Sequence, residues 1–411
     1  MKKIRLGDLV NTSSGATPLS SNKEYYENGD IPWINSGEVG QYKINFAEKF
    51  ITKEGFEKSN TKIFPKDTIL VAMYGATAGK TSILNINACT NQAVCAILPS
   101  ENVNNIFLKY KLDSIYDYLV QISSGSARDN LSQKVIQDLE INLPLLETQQ
   151  KIAKILSDID DKIEVLHQIN DNLSELAKTI YDYWFVQFDF PDENGKPYKS
   201  SGGKMVYNEV LKREIPKGWE VKKLGDVAQF KNGINYEKTS SGSEKVKIIN
   251  VRNISSSTIF INQTDLDEIF LENDRSTNFL VNDKMILITR SGVPGATRLV
   301  SVLEAKTVYS GFIIASEVND LIFKNLIFYY LKNIEEVLKN QSAGTIMKNI
   351  SQSVLTEMRI SLPPQNVLLK FNTIIHSLFE QMKNVQKQIQ HLQSLRDWLL
   401  PMLMNGQISV E

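Results

Sequence analysis

From Gly125 the chain reads GSARDNLSQKVIQDLEINLP, and from Gly344 it reads GTIMKNISQSVLTEMRISLP, the same pattern at an offset of 219 residues without a gap. Other matches keep the same order. Leu6-Gly7-Asp8 returns as Leu224-Gly225-Asp226, Ile34-Asn35 as Ile249-Asn250, and DTILVAMYG from Asp67 as DKMILITRSG from Asp283. Solenoid repeats run to about 20 to 50 residues, so a period near 218 describes one duplicated domain, and two similar modules imply two similar ligand sites.

Within each copy the apolar runs are short and rich in Ile, Val, Phe and Thr, as in TILVAM, AVCAIL, KMILIT and GFIIAS, and these predict strands. Mixed three and four spacing of apolar residues predicts helix over 103–120 and 320–339. The expected class is α+β. After each Leu-Pro a heptad seam begins, with apolar positions alternately four and three residues apart. In the first copy it runs through Ile152, Leu156, Ile159, Ile163, Leu166, Asn170, Leu173, Ala177, Ile180 and Trp184. The second copy repeats it at Phe371, Ile375, Leu378, Met382, Val385, Ile389, Leu392, Arg396, Leu399 and Leu403. Each seam implies a helix on the order of 55 to 60 Å long, which needs a partner along its apolar stripe. The other copy supplies one, giving two long antiparallel helices between two globular parts at opposite ends, a dumbbell.

These readings divide the chain into globular domains at 1–145 and 218–363, long helices at 146–184 and 364–411, and a linker at 185–217. The linker, FDFPDENGKPYKSSGGKMVYNEVLKREIPKGWE, is rich in Gly, Ser, Pro and charge, so no packed element is expected before Trp219. A length of 411 residues with 42% hydrophobic side chains is compatible with sizeable cores and excludes a disordered chain. The start MKKIRLGDLV carries no apolar stretch of the signal-peptide kind, and LIFKNLIFYYLKNI is broken by lysines short of a membrane span, so a cytoplasmic protein is expected. Cys89 and Cys95 are the two cysteines and His167, His376 and His391 the three histidines, too few soft ligands for a zinc framework.

The 46 basic and 47 acidic residues give a net charge of −1, so nothing in the whole-molecule charge attracts nucleic acid or membrane. By segment the nets are 0 for 1–145, −4 for 146–184, +2 for 185–363 and +1 for 364–411. Binding to nucleic acid therefore has to be local. Candidate contacts near turns are Lys23, Tyr25, Tyr42, Tyr74, Lys80 and Arg128 in the first copy and Arg252, Arg290, Arg298 and Lys348 in the second. Singly, each reads more simply as a solvated charge or a core tyrosine; as a set near two matching loops they point to nucleic acid.

Catalytic patterns fail. GATAGKT at Gly75 to Thr81 has three residues between its glycines where a phosphate-binding loop has four, and strand is expected after it in place of a helix. Pro191-Asp192 with Glu220-Val221-Lys222 matches a loose metal-nuclease pattern, but its first half falls in the linker and would not be held rigidly enough. There is no GxSxG nucleophile elbow, and the histidines lie on or beside the long helices. No catalytic residue, metal or cofactor is assigned to this chain.

IPKGWEVKKLGDV at 215–227, WFVQFDFPDENGKPYKSSGGKMV at 184–206, LPLLETQQKIAKILSDIDDKI at 143–163 and LRDWLLPMLMNGQISV at 395–410 carry a further signal. With the NLSQ and NISQ loops they reach across the chain, which resembles the DNA specificity subunits of type I restriction-modification systems, the HsdS family. The resemblance implies two target-recognition domains, each reading one half of a bipartite double-stranded DNA site. It implies helices that act as a ruler and dock two methyltransferase subunits carrying S-adenosylmethionine, with motor-nuclease subunits joining that assembly. Catalysis would belong to those partners. One departure stands out: the first copy lacks the Pro-x-Gly-Trp lead of Pro216 to Trp219, so its leading strand is expected to pack differently. A spacer whose ends bind proteins, and a nuclease using the linker carboxylates, are the competing readings.

Overall fold

The computed structural model describes residues 2–124, 131–236, 242–263, 265–301, 303, 305–341 and 350–410. Arg128, Lys348 and most of the two glycine-led loops lie outside the described residues. The chain divides into two compact units, one of residues 1–166 with 388–411 and the other of residues 167–387.

In the first unit a five-stranded sheet has the order 12–14, 94–97, 69–72, 81–84, 43–44, and a four-stranded sheet the order 49–51, 31–34, 88–90, 63–64. The second unit repeats both orders. Its larger sheet runs 228–232, 313–318, 285–289, 297–299, extended by a parallel bridge from Phe260 to Leu299, and its smaller sheet runs 267–271, 244–249, 307–309, extended by a bridge from Leu280 to Val308. The runs Ile69–Ala72, Thr81–Leu84, Val94–Ile97 and Met285–Thr289 are buried throughout, as apolar strands covered on both faces should be. Mixed sheets with flanking helices make each unit α+β.

The expected difference in the leading strands is not found. Lys2–Arg5 pairs antiparallel with Glu140–Leu143, and Glu220–Lys223 pairs antiparallel with Arg359–Leu362. In both units the next amide closes the pair, Leu6 N–H to Leu139 O and Leu224 N–H to Met358 O, each at 2.8 Å. Trp219 has another task. Its ring lies 5.9 Å from that of Phe185, 5.2 Å from Phe188 and 5.4 Å from Phe190. It packs the segment that precedes only the second copy of the globular part.

That segment is also not the open linker its composition predicts. Phe188, Phe190 and Ile215 are buried, Phe190 stacks on Tyr198 at 4.7 Å, and Met205–Asn208 pairs with Arg213–Pro216 as a hairpin. Asp189 accepts from Ser200 N–H at 2.7 Å and from Ser200 Oγ at 2.6 Å, closing the turn between them. The glycines and serines serve tight turns and the aromatic residues supply the core.

The long helices span Leu146–Tyr181, continued by a wide π-type turn over Asp182–Val186, and Gln365–Met404. Each follows a proline, whose missing N–H ends the preceding strand and costs nothing in a first helical turn. In the first unit Arg396 meets Asp160, and Leu156 shares a core with Leu403. In the second, Phe371 packs on Tyr181 and Trp184, with ring centroids 6.4 and 5.8 Å apart. Low numbers on one helix oppose high numbers on the other within each unit, so the helices run antiparallel. Along the seam Ile152, Leu156, Ile163, Leu166, Leu378, Met382, Val385 and Ile389 are buried, and Ile159, Leu173, Ile180, Leu392 and Leu399 are half-buried.

Candidate nucleic-acid interface

In each unit four segments converge on one end of the two sheets, held by the same backbone hydrogen bonds. In the first, Asn91 N–H donates to Ile34 O at 3.0 Å, Met73 N–H to Ala93 O at 2.8 Å, and Leu131 N–H to Met73 O at 3.0 Å. In the second, Ser310 N–H donates to Ile249 O at 3.0 Å, Arg290 N–H to Phe312 O at 2.8 Å, and Ile350 N–H to Arg290 O at 3.1 Å. The repeated sequence signals are the residues that build this scaffold. Asn35 caps its turn by accepting from Gly37 N–H at 2.7 Å while Glu38 Oε1 accepts from Asn35 N–H at 2.9 Å, and Asn250 N–H donates to Asn253 Oδ1 at 2.8 Å. The serines of NLSQ and NISQ are helix caps, Ser132 accepting from Val135 N–H at 3.2 Å and Ser351 from Val354 N–H at 3.3 Å.

The hairpin between the two central strands carries exposed residues in both units. Gly79 N–H donates to Ala72 O at 2.9 Å, and Gly295 N–H to Thr289 O at 2.8 Å. Both hairpins turn through left-handed backbone, with φ of 74° and 83° at Gly75 and Gly79 and of 81° and 86° at Gly292 and Gly295, which explains why glycine recurs there. The side chains carried on this common frame differ. Tyr74 and Lys80 are exposed on the first hairpin, whereas the second exposes Arg290 at the place of buried Met73, beside Phe312, which is 64% exposed. Thr77 Oγ1 donates to Ser36 O at 2.9 Å and ties the first hairpin to its neighbouring turn.

Tyr74, Lys80 and Arg290 are thus brought to equivalent loop clusters. Among the other described candidates, Arg298, Tyr42, Lys23 and Tyr25 are not, and Arg252 stands on the turn that Asn250 opens. Arg298 is buried, its guanidinium donating to Glu335 Oε2 at 2.9 Å and to Thr297 O at 2.7 Å, so it is committed to the fold. This corrects its place among the binding candidates: the strand Thr297–Leu299 turns it inward onto the helix Lys324–Gln341. Tyr42 is half-buried and stacks on Tyr110 at 6.0 Å. Lys23 and Tyr25 belong to a turn packed against the helix Lys53–Glu57. Arg252 is exposed but held by Asp265 at 3.1 Å and Asp267 at 2.7 Å; the hydrogen bond it donates to Asp265 above all raises its pKa further. Gln92, exposed beside Asn91 and accepting from Thr17 Oγ1 at 2.6 Å, and Phe312 were not foreseen. Their signal was present, since each directly precedes a strand of the repeat, AVCAIL or IIASEV.

The catalytic look-alikes are structural. Thr81 opens the strand Thr81–Leu84, so no helix N-terminus follows the glycine segment. Asp192 accepts from Asn194 N–H at 2.8 Å and Lys196 N–H at 2.9 Å within its own turn, and Glu220 pairs with Lys222 at 3.0 Å. Among the described residues no cluster of three or more His, Cys, Asp or Glu is arranged to hold a metal, and no helix is long and apolar enough to cross a membrane.

Residues 1–175 and 216–394 each match the family model of the type I restriction modification DNA specificity domain. Over 420 residues the chain is 32% identical to the type I restriction enzyme MjaIX specificity subunit of Methanocaldococcus jannaschii, covering 100% of this chain and 94% of that one. It is 26% identical over 472 residues to the HindI specificity subunit of Haemophilus influenzae, covering 99% of each. The fold is similar to that of the type I restriction-modification S subunit from M. genitalium, with a TM-score of 0.55 and 19% identity over 98% of this chain and 95% of that one.

Proposed function

The chain belongs to the type I restriction modification DNA specificity family, and from that premise we propose that its two units each read one half of a bipartite double-stranded DNA site. The observation that carries this reading is the loop cluster built twice on the same backbone bonds with unlike exposed side chains. A shared frame presents each surface in the same way, and different side chains select different sequences. Arg290 is suited to a bidentate contact with guanine O6 and N7, and Tyr74 with Lys80 to a thymine methyl and a phosphate.

The two methyltransferase subunits and the motor-nuclease subunits that act with such a chain supply S-adenosylmethionine chemistry and cleavage; this chain contributes the address. Its near-neutral charge supports a division of labour in which the partners neutralise most phosphates. A protein-binding spacer would present aromatic residues without cations, whereas here Tyr74 shares its hairpin with Lys80, and the Arg290 backbone N–H donates to Phe312 O, which sets the two exposed residues side by side. The test is a band shift with the cognate methyltransferase subunits present. Scrambling either half-site should release the complex, and equal binding to the methylated motif and to scrambled DNA at moderate salt would refute the reading. The chain alone should bind DNA weakly.

A further inference from the structure

The frame is duplicated, but the way each globular part is fastened to the helices is not. In the first unit Asp160, on the long helix and 4% exposed, accepts from Tyr110 Oη at 2.5 Å and from Arg396 Nη1 at 2.8 Å. Tyr110 belongs to the helix Asn105–Asp113 of the globular part, and Arg396 to the second long helix, so one buried carboxylate joins three elements. Lys43 reaches Asp161 at 2.5 Å and Asn45 reaches Glu164 at 2.6 Å on the following turn. Moving by the repeat offset of 219, Tyr110 becomes Tyr329, Asp160 becomes Phe379, and Arg396 corresponds to Ala177. There Tyr329 stacks on Phe379 at 6.3 Å, and Phe260 meets the same ring at 5.2 Å.

At this equivalent position the joint is therefore made of directional, charge-assisted hydrogen bonds in one unit and of aromatic faces in the other, whose hydrogen bonds to the long helices lie elsewhere, from Asn333 to Asp182 at 2.9 Å and from Asn325 to Asn372 at 3.0 Å. A ring contact tolerates sliding and rotation with little loss, whereas a buried carboxylate shared by two donors holds one geometry, because displacement leaves an unpaired charge out of water. We infer that Asp160 is a positioning residue that fixes the angle at which the first recognition domain is held on the helix pair, and thereby the half-site spacing the protein accepts. The inference rests on the two-reader function proposed above.

The experiment uses the full chain reconstituted with its methyltransferase subunits and a series of DNA duplexes whose half-sites are separated by the preferred spacer or by one base pair more or less. Wild type should prefer one spacer. Asp160→Ala should lower that preference by about tenfold, a fraction of the full cost of breaking a buried ion pair because only the part that differs between spacers is read, while scrambling either half-site still abolishes binding. Should Asp160→Ala fold poorly, the double variant Asp160→Phe with Arg396→Ala, which copies the residues of the second unit, restores packing without the charges and is expected to fold with the same relaxed spacing. Tyr110→Phe should give an intermediate loss. Folded variants that keep the wild-type spacer preference would overturn the inference. A wild-type complex indifferent to spacing would overturn the two-reader function itself, and the inference with it.

Discussion

Arg298 and Glu335 lie 2.9 Å apart, both buried, while Arg290, only eight positions earlier, stands at the surface on the tip of the same hairpin. Arg298→Ala should cost about 3 kcal/mol or more in urea unfolding, because it removes the guanidinium that compensates a buried carboxylate. Arg290→Ala should leave stability within about 0.5 kcal/mol and instead weaken DNA selection in the complex by about 1 to 3 kcal/mol, measured by competition binding. The sequence offered no way to tell these two arginines apart, since each directly follows a threonine and their burial depends on what packs above the strand. Cys89 and Cys95 are a clearer case. Burial pushes their thiols up to about 11 and about 12, so reaction with a thiol reagent at pH 8 should be slow and should follow global unfolding. Fast labelling of the native protein would contradict that.

The heptad seam was fully legible because its period is local: each position reports on residues three and four away, and no tertiary information is needed. Leu156 and Leu378 are both buried on it, and Leu156→Ala or Leu378→Ala should each cost about 2 to 5 kcal/mol by urea titration. The segment 185–217 was misread for the opposite reason. Its turns dominate the composition, whereas its core is made with Trp219 and Ile215, distant from Phe188 in sequence, and no local period reveals such a pairing. Asp189 tests that element. The Ser200 hydroxyl, bonded to it, holds its carboxyl below the usual carboxylate range. The resulting stabilisation is complete above the unfolded value of about 4 and is lost as pH falls through the lower folded value. Asp189→Asn should therefore destabilise by about 1 kcal/mol at pH 7, with the gap to wild type closing in strong acid. A gap unchanged by pH would mean that the charge is not what matters.

For the whole molecule, the duplication was legible from a few short matches, and the structure explains which residues kept them. Asn35, Ser132 and Ser351 are side-chain caps and the glycines of the hairpins left-handed turns, whose geometry admits few other residues, while Asn250 opens its turn by donating its N–H to Asn253. The exposed residues between them diverged, which is what two readers of different sequences require and why no base contact could be read from the pattern. The net charge of −1, with nets of 0 over 1–145 and +2 over 185–363, fits a subunit that engages DNA with its partners. The most direct measurement is the map of methylated sites, obtained by single-molecule sequencing, in cells carrying the partner subunits with either the wild-type chain or Arg290→Ala. The account predicts a bipartite adenine-methylation motif for wild type and, for the variant, relaxed sequence in one half-site with the other half unchanged. A single contiguous motif, or equal change in both halves, would contradict it.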